Sequence, residues 1–198
     1  WLFQLLNNDY NIVRSPKSYN SQVGVPLSVW NMSESHTLGI FEAGISLPGE
    51  MDQLQQIIDP EIGVFTYIGD AHAEGFENPV QKISEKLKLF IKSKVLIYCA
   101  DDERMQDSVL DFKETHHNTL QLFGWSRKQG TTLFINKTEK SEKGCSISCL
   151  YDSRELNFFI PFTDDASIHN AITCCCVLLY LNVSFPAIAS HIYQLRPV

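Results

Sequence analysis

The chain lacks the features that mark several protein classes. No uninterrupted apolar run reaches the roughly 20 residues a membrane-crossing helix needs. No basic residue precedes the apolar part of the opening WLFQLLNNDY, which argues against a secretory signal peptide. Lysine and arginine form no cluster, and the net charge is −7, so nucleic acid and anionic membrane are not expected as main partners. Internal repeats and low-complexity segments are absent. Among the six cysteines, no two pairs stand at metal-ligand spacing, and Cys174, Cys175 and Cys176 are consecutive within an apolar helical segment. That usage predicts reduced thiols in a cytoplasmic protein rather than a disulfide framework. The Asn-x-Ser/Thr triplets at Asn31, Asn136 and Asn182 then read as chance matches.

What is present is globular: 198 residues, 44% of them hydrophobic, enough to bury one core. The stretch from Ile62 to Phe90 organises the rest. It opens on a short apolar run bounded by glycines, a buried strand, and after Asn78 and Pro79 becomes an amphipathic helix. Val80, Ile83, Leu87, Phe90 and Ile91 recur at three- and four-residue steps and define the face expected to be buried. Of Lys82, Lys86, Lys88 and Lys92, the wheel puts Lys86 nearest that stripe and the others further toward water. His72, past the strand end, and Lys86, on the next helix, can both face the crevice where open α/β sheets bind ligands.

Taken in order, WLFQLLNN begins in mid-helix, with no capping residue before Trp1. Asn11 to Arg14 is a short strand, SPKSYNSQ a polar loop, and GVPLSVWNM a helix with Pro26 in its first turn. Leu38 to Phe41 is a second strand with Glu42 near its carboxyl end. PGEMDQLQQII is a helix burying Met51, Leu54, Ile57 and Ile58. Lys94 to Ala100 is a fully apolar strand, followed by acidic residues opening a helix. This alternation predicts a parallel sheet covered on both faces. After Phe112, TLQLFGWS, TTLFINKT, CSISCLYD and RELNFFIP read as an antiparallel extension, with KTEKSEKG as a charged tip. A long helix from Asp165 to Leu181, capped by Thr163 or Asp164, and a last helix FPAIASHIYQL complete one α/β domain.

Four of these segments, SYNSQVGVP, FEAGIS, GDAHAEGF with KLKLF, and IHNAITCC, come in the order and spacing of the central ATP-binding domain of the Mur ligases. These are the amide-forming enzymes of peptidoglycan precursor synthesis, and the resemblance runs along nearly all of the chain. It is strongest to members that join D-alanyl-D-alanine to UDP-N-acetylmuramoyl-tripeptide. SPKSYNSQVGVPLSVW and FEAGISLPGEM resemble the forms fused to an alanine racemase.

The resemblance implies a mostly parallel P-loop-type sheet flanked by helices, and ATP and Mg²⁺ as cofactors. It implies Glu42 and His72 as groups serving the metal, and Lys86, fourteen residues beyond His72, as a carbamylated lysine. Partial burial lowers a lysine pKa, and only the neutral amine takes up CO₂; the carbamate is then an oxygen donor suited to Mg²⁺. Asn170 matches an asparagine that contacts adenine, while Ser167 stands where relatives often carry another asparagine. Asn20 and Ser21 match the loop approaching the muramoyl substrate. The implied reaction phosphorylates the peptide's terminal carboxylate, and the dipeptide amine then attacks the acyl phosphate. The family's G-x-x-G-K-[ST] loop, which precedes a helix like WLFQLL, is not in the sequence. Residues 1–198 therefore read as a central domain cut at both ends, without its first strand, phosphate loop and C-terminal domain, and inactive alone.

Without the resemblance each residue has a plainer reading. Glu42 would be a solvated or ion-paired carboxylate, His72 a surface histidine and Lys86 a helix lysine with its stem along apolar surface. His116 and His117 lack partners and read as loop, the three adjacent cysteines as small core residues, and Asp101 and Asp102 as caps that could also lie near a nucleotide. Another Mur ligase, a folylpolyglutamate synthase-like ligase, or a non-catalytic α/β interaction module stand as alternatives.

Overall fold

The computed structural model describes residues 1–68 and 75–197. In chain order the elements are α1 (Leu2–Leu6), β1 (Ile12–Arg14), α2 (Gly24–Trp30), β2 (Leu38–Ile40), α3 (Glu50–Ile58), β3 (Ile62–Phe65), α4 (Pro79–Leu87), β4 (Val95–Cys99) and α5 (Glu103–His116). They continue with β5 (Gln121–Ser126), β6 (Leu133–Ser141), β7 (Gly144–Tyr151), β8 (Arg154–Ile160), α6 (Asp165–Tyr180) and α7 (Phe185–Tyr193). Among the described residues, no helix is long and apolar enough to cross a membrane.

β3 to β8 form one six-stranded sheet in sequence order, while β1 and β2 pair in parallel as a separate two-stranded sheet. β3, β4, β5 and β6 are mutually parallel, and β6, β7 and β8 antiparallel. This corrects the sequence-based grouping of TLQLFGWS with the antiparallel strands: β5 belongs to the parallel half. β6 changes the direction of pairing. It meets β5 only at Trp125↔Leu133 and Ser126↔Phe134, so the connection has little strand length to retrace and needs no crossover helix, unlike a full parallel pair. Beyond that overlap it runs on into the hairpin. Most of the expected charged tip is therefore strand, with Ser141 opposite Gly144.

The central strand β4 shows why the sheet is covered on both faces. Val95 and Ile97 join Phe123, Trp125 and the apolar residues of α1, α6 and α7 in one core cluster. Leu96 and Tyr98 join residues of α3, α4 and α5 in another. Period-two alternation sends neighbouring side chains to opposite faces, and since both faces are buried, β4 reads as a continuous apolar run. Cys145, Cys149, Cys174, Cys175 and Cys176 are buried, Cys99 is partly buried, and all six are free thiols, as expected.

Three expectations about helix faces fail. Val80, in the first turn of α4, is 48% exposed, and Ile91 is 40% exposed because α4 ends at Leu87 and a 3-10 turn, Lys88–Phe90, rotates it off the α-helical wheel. On α3 Ile57 is exposed and Gln55 buried, its amide bonded to Asp59. α5 runs to His116, so that histidine is helical; His117 caps the helix, and its Nε2 lies 2.7 Å from the Ser93 carbonyl oxygen.

Candidate functional site

Glu42 lies two residues past the end of β2, held by Ser15 and Asn20. Ser15 donates its backbone N–H to Ile40 and accepts the Glu42 N–H on its hydroxyl oxygen. The Asn20 carbonyl accepts the Gly44 N–H at 2.7 Å, and the Asn20 amide donates to Glu42 Oε1 at 2.7 Å. A Cβ on Gly44 would stand 3.2 Å from Asn20 Cγ, so the bare glycine permits this approach. Asn20 thus orients the carboxylate, which stays exposed. Ser21 instead starts α2, its hydroxyl accepting from Gly24 and its carbonyl from Val25.

Lys86 comes from α4. Asn78 caps that helix by accepting the Gln81 N–H, Pro79 occupies the first turn, and Ile83 and Leu87 are buried. Glu85 fastens α4 to the loop after Glu42 by accepting the Gly49 N–H at 2.8 Å while pairing with Lys88 at 2.8 Å. Partial burial alone would raise the Glu85 pKa, but those two partners outweigh it and hold it below the ordinary value. Glu50 accepts the N–H groups of Ser46 and Leu47, and a Cβ on Gly75 would fall 2.0 Å from the Ser46 carbonyl oxygen. These contacts fix where the loop bearing Glu42 lies relative to α4.

The Lys86 ammonium is half-buried. Burial, then the positive charge of Lys82, pull its pKa below the usual lysine value, and the negative charge of Glu42 opposes them. Glu42 and Lys86 therefore share one electrostatic environment. Lys82 corrects the helical-wheel reading, which placed it toward water: it is only 6% exposed, one turn before Lys86 on the same side of α4. His72 lies outside the described residues.

A second group gathers at the carboxyl ends of β4 and β5. Asp101 accepts from the Ser126 hydroxyl at 2.6 Å, from the Arg127 N–H at 2.8 Å and from the Arg127 guanidinium at 2.7 Å. Partial burial pushes its carboxyl upward, but these three donors prevail and hold it below the ordinary range. Asp102, by contrast, caps α5 as expected. On α6, which Asp164 caps, the His169 ring meets Trp125 edge-on at 4.7 Å and Tyr67 at 6.1 Å. Burial, then the Arg127 charge, keep His169 below the usual imidazole value. Asn170, the next residue, is exposed on α6, and Ser167 gives its N–H to the Asp164 cap. Arg127 and His169 were not singled out from the sequence. A charged residue after a strand and a histidine inside a helix carry no local signal; only the sheet brings them together.

Among the described residues no group of three or more histidine, cysteine or acidic side chains could enclose a metal ion. An exposed, oriented carboxylate nonetheless suits Mg²⁺, which keeps several waters and takes one or two protein carboxylates together with phosphate oxygens. Glu42 fits that requirement, and a carbamate on Lys86 would add an oxygen donor.

A family model described as the Mur ligase middle domain matches residues 2–178. The UDP-N-acetylmuramoyl-tripeptide--D-alanyl-D-alanine ligase of Bacillus subtilis is 26% identical over 187 residues, covering 91% of this chain and 38% of that protein. Among solved structures, MurF from Acinetobacter baumannii superimposes with a TM-score of 0.86 at 19% identity, covering 100% of this chain and 43% of that one. The MurF ligase from Thermotoga maritima, solved in complex with ADP, gives a TM-score of 0.81 at 19% identity, covering 100% of this chain and 45% of that one. The chain thus spans about two fifths of the length of the relatives it matches.

Proposed function

Since this chain belongs to the Mur ligase family, matching its middle domain, we propose that it is the ATP-binding part of a cytoplasmic, ATP- and Mg²⁺-dependent ligase joining D-alanyl-D-alanine to UDP-N-acetylmuramoyl-tripeptide. The naming of the Bacillus subtilis relative supports that choice of substrates. What supports the reading is the exposed carboxylate of Glu42, oriented by Asn20, on a loop that Glu85 ties to α4, the helix bearing the half-buried Lys86. The phosphate-binding loop, the domain bringing the dipeptide and, in fused forms, an alanine racemase would come from other parts of the polypeptide.

The chemistry sets what these side chains must do. Transfer of the γ-phosphoryl group to the peptide carboxylate brings two anions together, and the acyl phosphate formed is then attacked by the dipeptide amine, expelling phosphate. Mg²⁺, when bound, supplies the positive charge that lets those anions meet. Glu42, its carboxylate oriented by the Asn20 amide, would hold that ion. Lys86, whose burial favours the neutral amine that reacts with CO₂, would add a carbamate oxygen. His72 serves the same cation, and Asn170 meets the adenine. Ser21 acts through α2, fixing the loop that approaches the muramoyl peptide. None of these residues is a nucleophile toward the substrate.

In the full-length polypeptide, Glu42→Ala and Lys86→Ala should each lower ATP-dependent amide formation by roughly 10²–10³-fold, the usual scale for losing one preorganised electrostatic group. A short-chain carboxylic acid should restore part of the Lys86→Ala activity by standing in for the carbamate. Full activity in both variants would overturn the mechanism proposed for Glu42 and Lys86, whereas no ATP-dependent amide formation by the unsubstituted protein would favour a non-catalytic module.

A further inference from the structure

The proposed chemistry leaves the group around Arg127 without a role. The Arg127 guanidinium is half-exposed, yet Asp101 anchors it through both the backbone N–H and the side chain. It lies 5.9 Å from the ring centre of Trp125, which is itself immobilised by donating its indole N–H to Thr173 at 3.1 Å. Thr173 in turn donates to the His169 carbonyl. The His169 ring is set between Trp125 and Tyr67, with Nε2 buried and, among the described residues, no hydrogen-bond partner.

These features describe a flat recognition surface rather than an anion trap. Asp101 offsets the charge of Arg127, and Lys128 beside it is paired with Glu103, so little net positive charge remains to attract phosphate. What remains is a half-exposed planar guanidinium with unused donors, held in a fixed orientation by Asp101 over the buried indole of Trp125 and near the partly buried His169 ring. A purine base uses such a surface, stacking on the guanidinium plane and meeting polar groups at its edge. The position agrees: the carboxyl ends of parallel strands, next to the α6 turn that carries Asn170.

Resting on the reading that the protein binds ATP, we propose that Arg127, anchored by Asp101 and flanked by Trp125 and His169, is the side chain on which the nucleotide's base stacks. In the full-length polypeptide, calorimetric titration with ADP, adenosine and inorganic tripolyphosphate tests this. Arg127→Gln should weaken ADP and adenosine by about the same factor, roughly tenfold for one stacked cation–ring contact, and leave tripolyphosphate unchanged. Arg127→Lys, which keeps the charge but not the plane, should stay nearly as weak for adenosine. The proposal is overturned if Arg127→Gln weakens tripolyphosphate but not adenosine, which would make Arg127 a phosphate contact. Unchanged affinity for all three ligands, or full rescue of adenosine by lysine, overturns it too. Failure of the unsubstituted protein to bind ADP would instead refute the ATP-binding reading beneath it.

Discussion

Asp101 carries one charge and serves three donors, and that arrangement sets its pH dependence. Its carboxyl is held below the ordinary range in the folded protein by Ser126 and Arg127, against the upward push of partial burial. A carboxyl with a depressed folded pKa binds fewer protons folded than unfolded, so its contribution to stability is present above the unfolded carboxylate value. It is lost as pH falls through the lower folded one. The side chain is 25% exposed, and solvent screening reduces the contribution to about 1 kcal/mol. Asp101→Asn should therefore cost about that much at neutral pH and almost nothing near pH 2, as read from urea unfolding of both proteins across that range. An equal cost at both ends would mean that the packing of the side chain, rather than its charge, is what matters.

At the scale of elements, α4 is where local sequence and site meet. Its cap, first-turn proline and buried Ile83 and Leu87 are all local signals, and they place Lys86 by helix geometry alone. Removing the cap tests whether the helix is held by local or tertiary contacts. Asn78→Ala should destabilise by about 1 kcal/mol, the ordinary cost of losing an N-cap. Hydrogen exchange should rise first in the opening turn of α4, while the Glu85 contacts to Gly49 and Lys88 keep its end in place. Uniform opening of the whole helix would show instead that the cap, not the packing, holds it.

For the whole molecule, the decisive feature is a sheet buried on both faces. Leu96 and Ile97 are neighbours in β4, both 0% exposed, and face different core clusters. Leu96→Ala and Ile97→Ala should each cost about 2–5 kcal/mol in chemical denaturation, the range for truncating a buried aliphatic side chain. A sheet with one solvated face would make one of the two nearly neutral. Between them the clusters hold the site from both sides, α4 in one and α6 in the other.

By itself the sequence determined most element types, the α/β class and the place of Glu42 near a strand end and Lys86 on the helix after β3. These depend on hydrophobic period, caps and turn residues, all readable within a few positions. Only the tertiary structure decided that β5 joins the parallel half, that the charged tip is a strand, that Lys82 is buried beside Lys86, and that Asn20 grips Glu42. It alone brought Asp101, Arg127 and His169 together. The physical reason is common to all of these: each depends on which neighbour a strand or side chain meets across a long loop, and no periodicity along the chain encodes that partner.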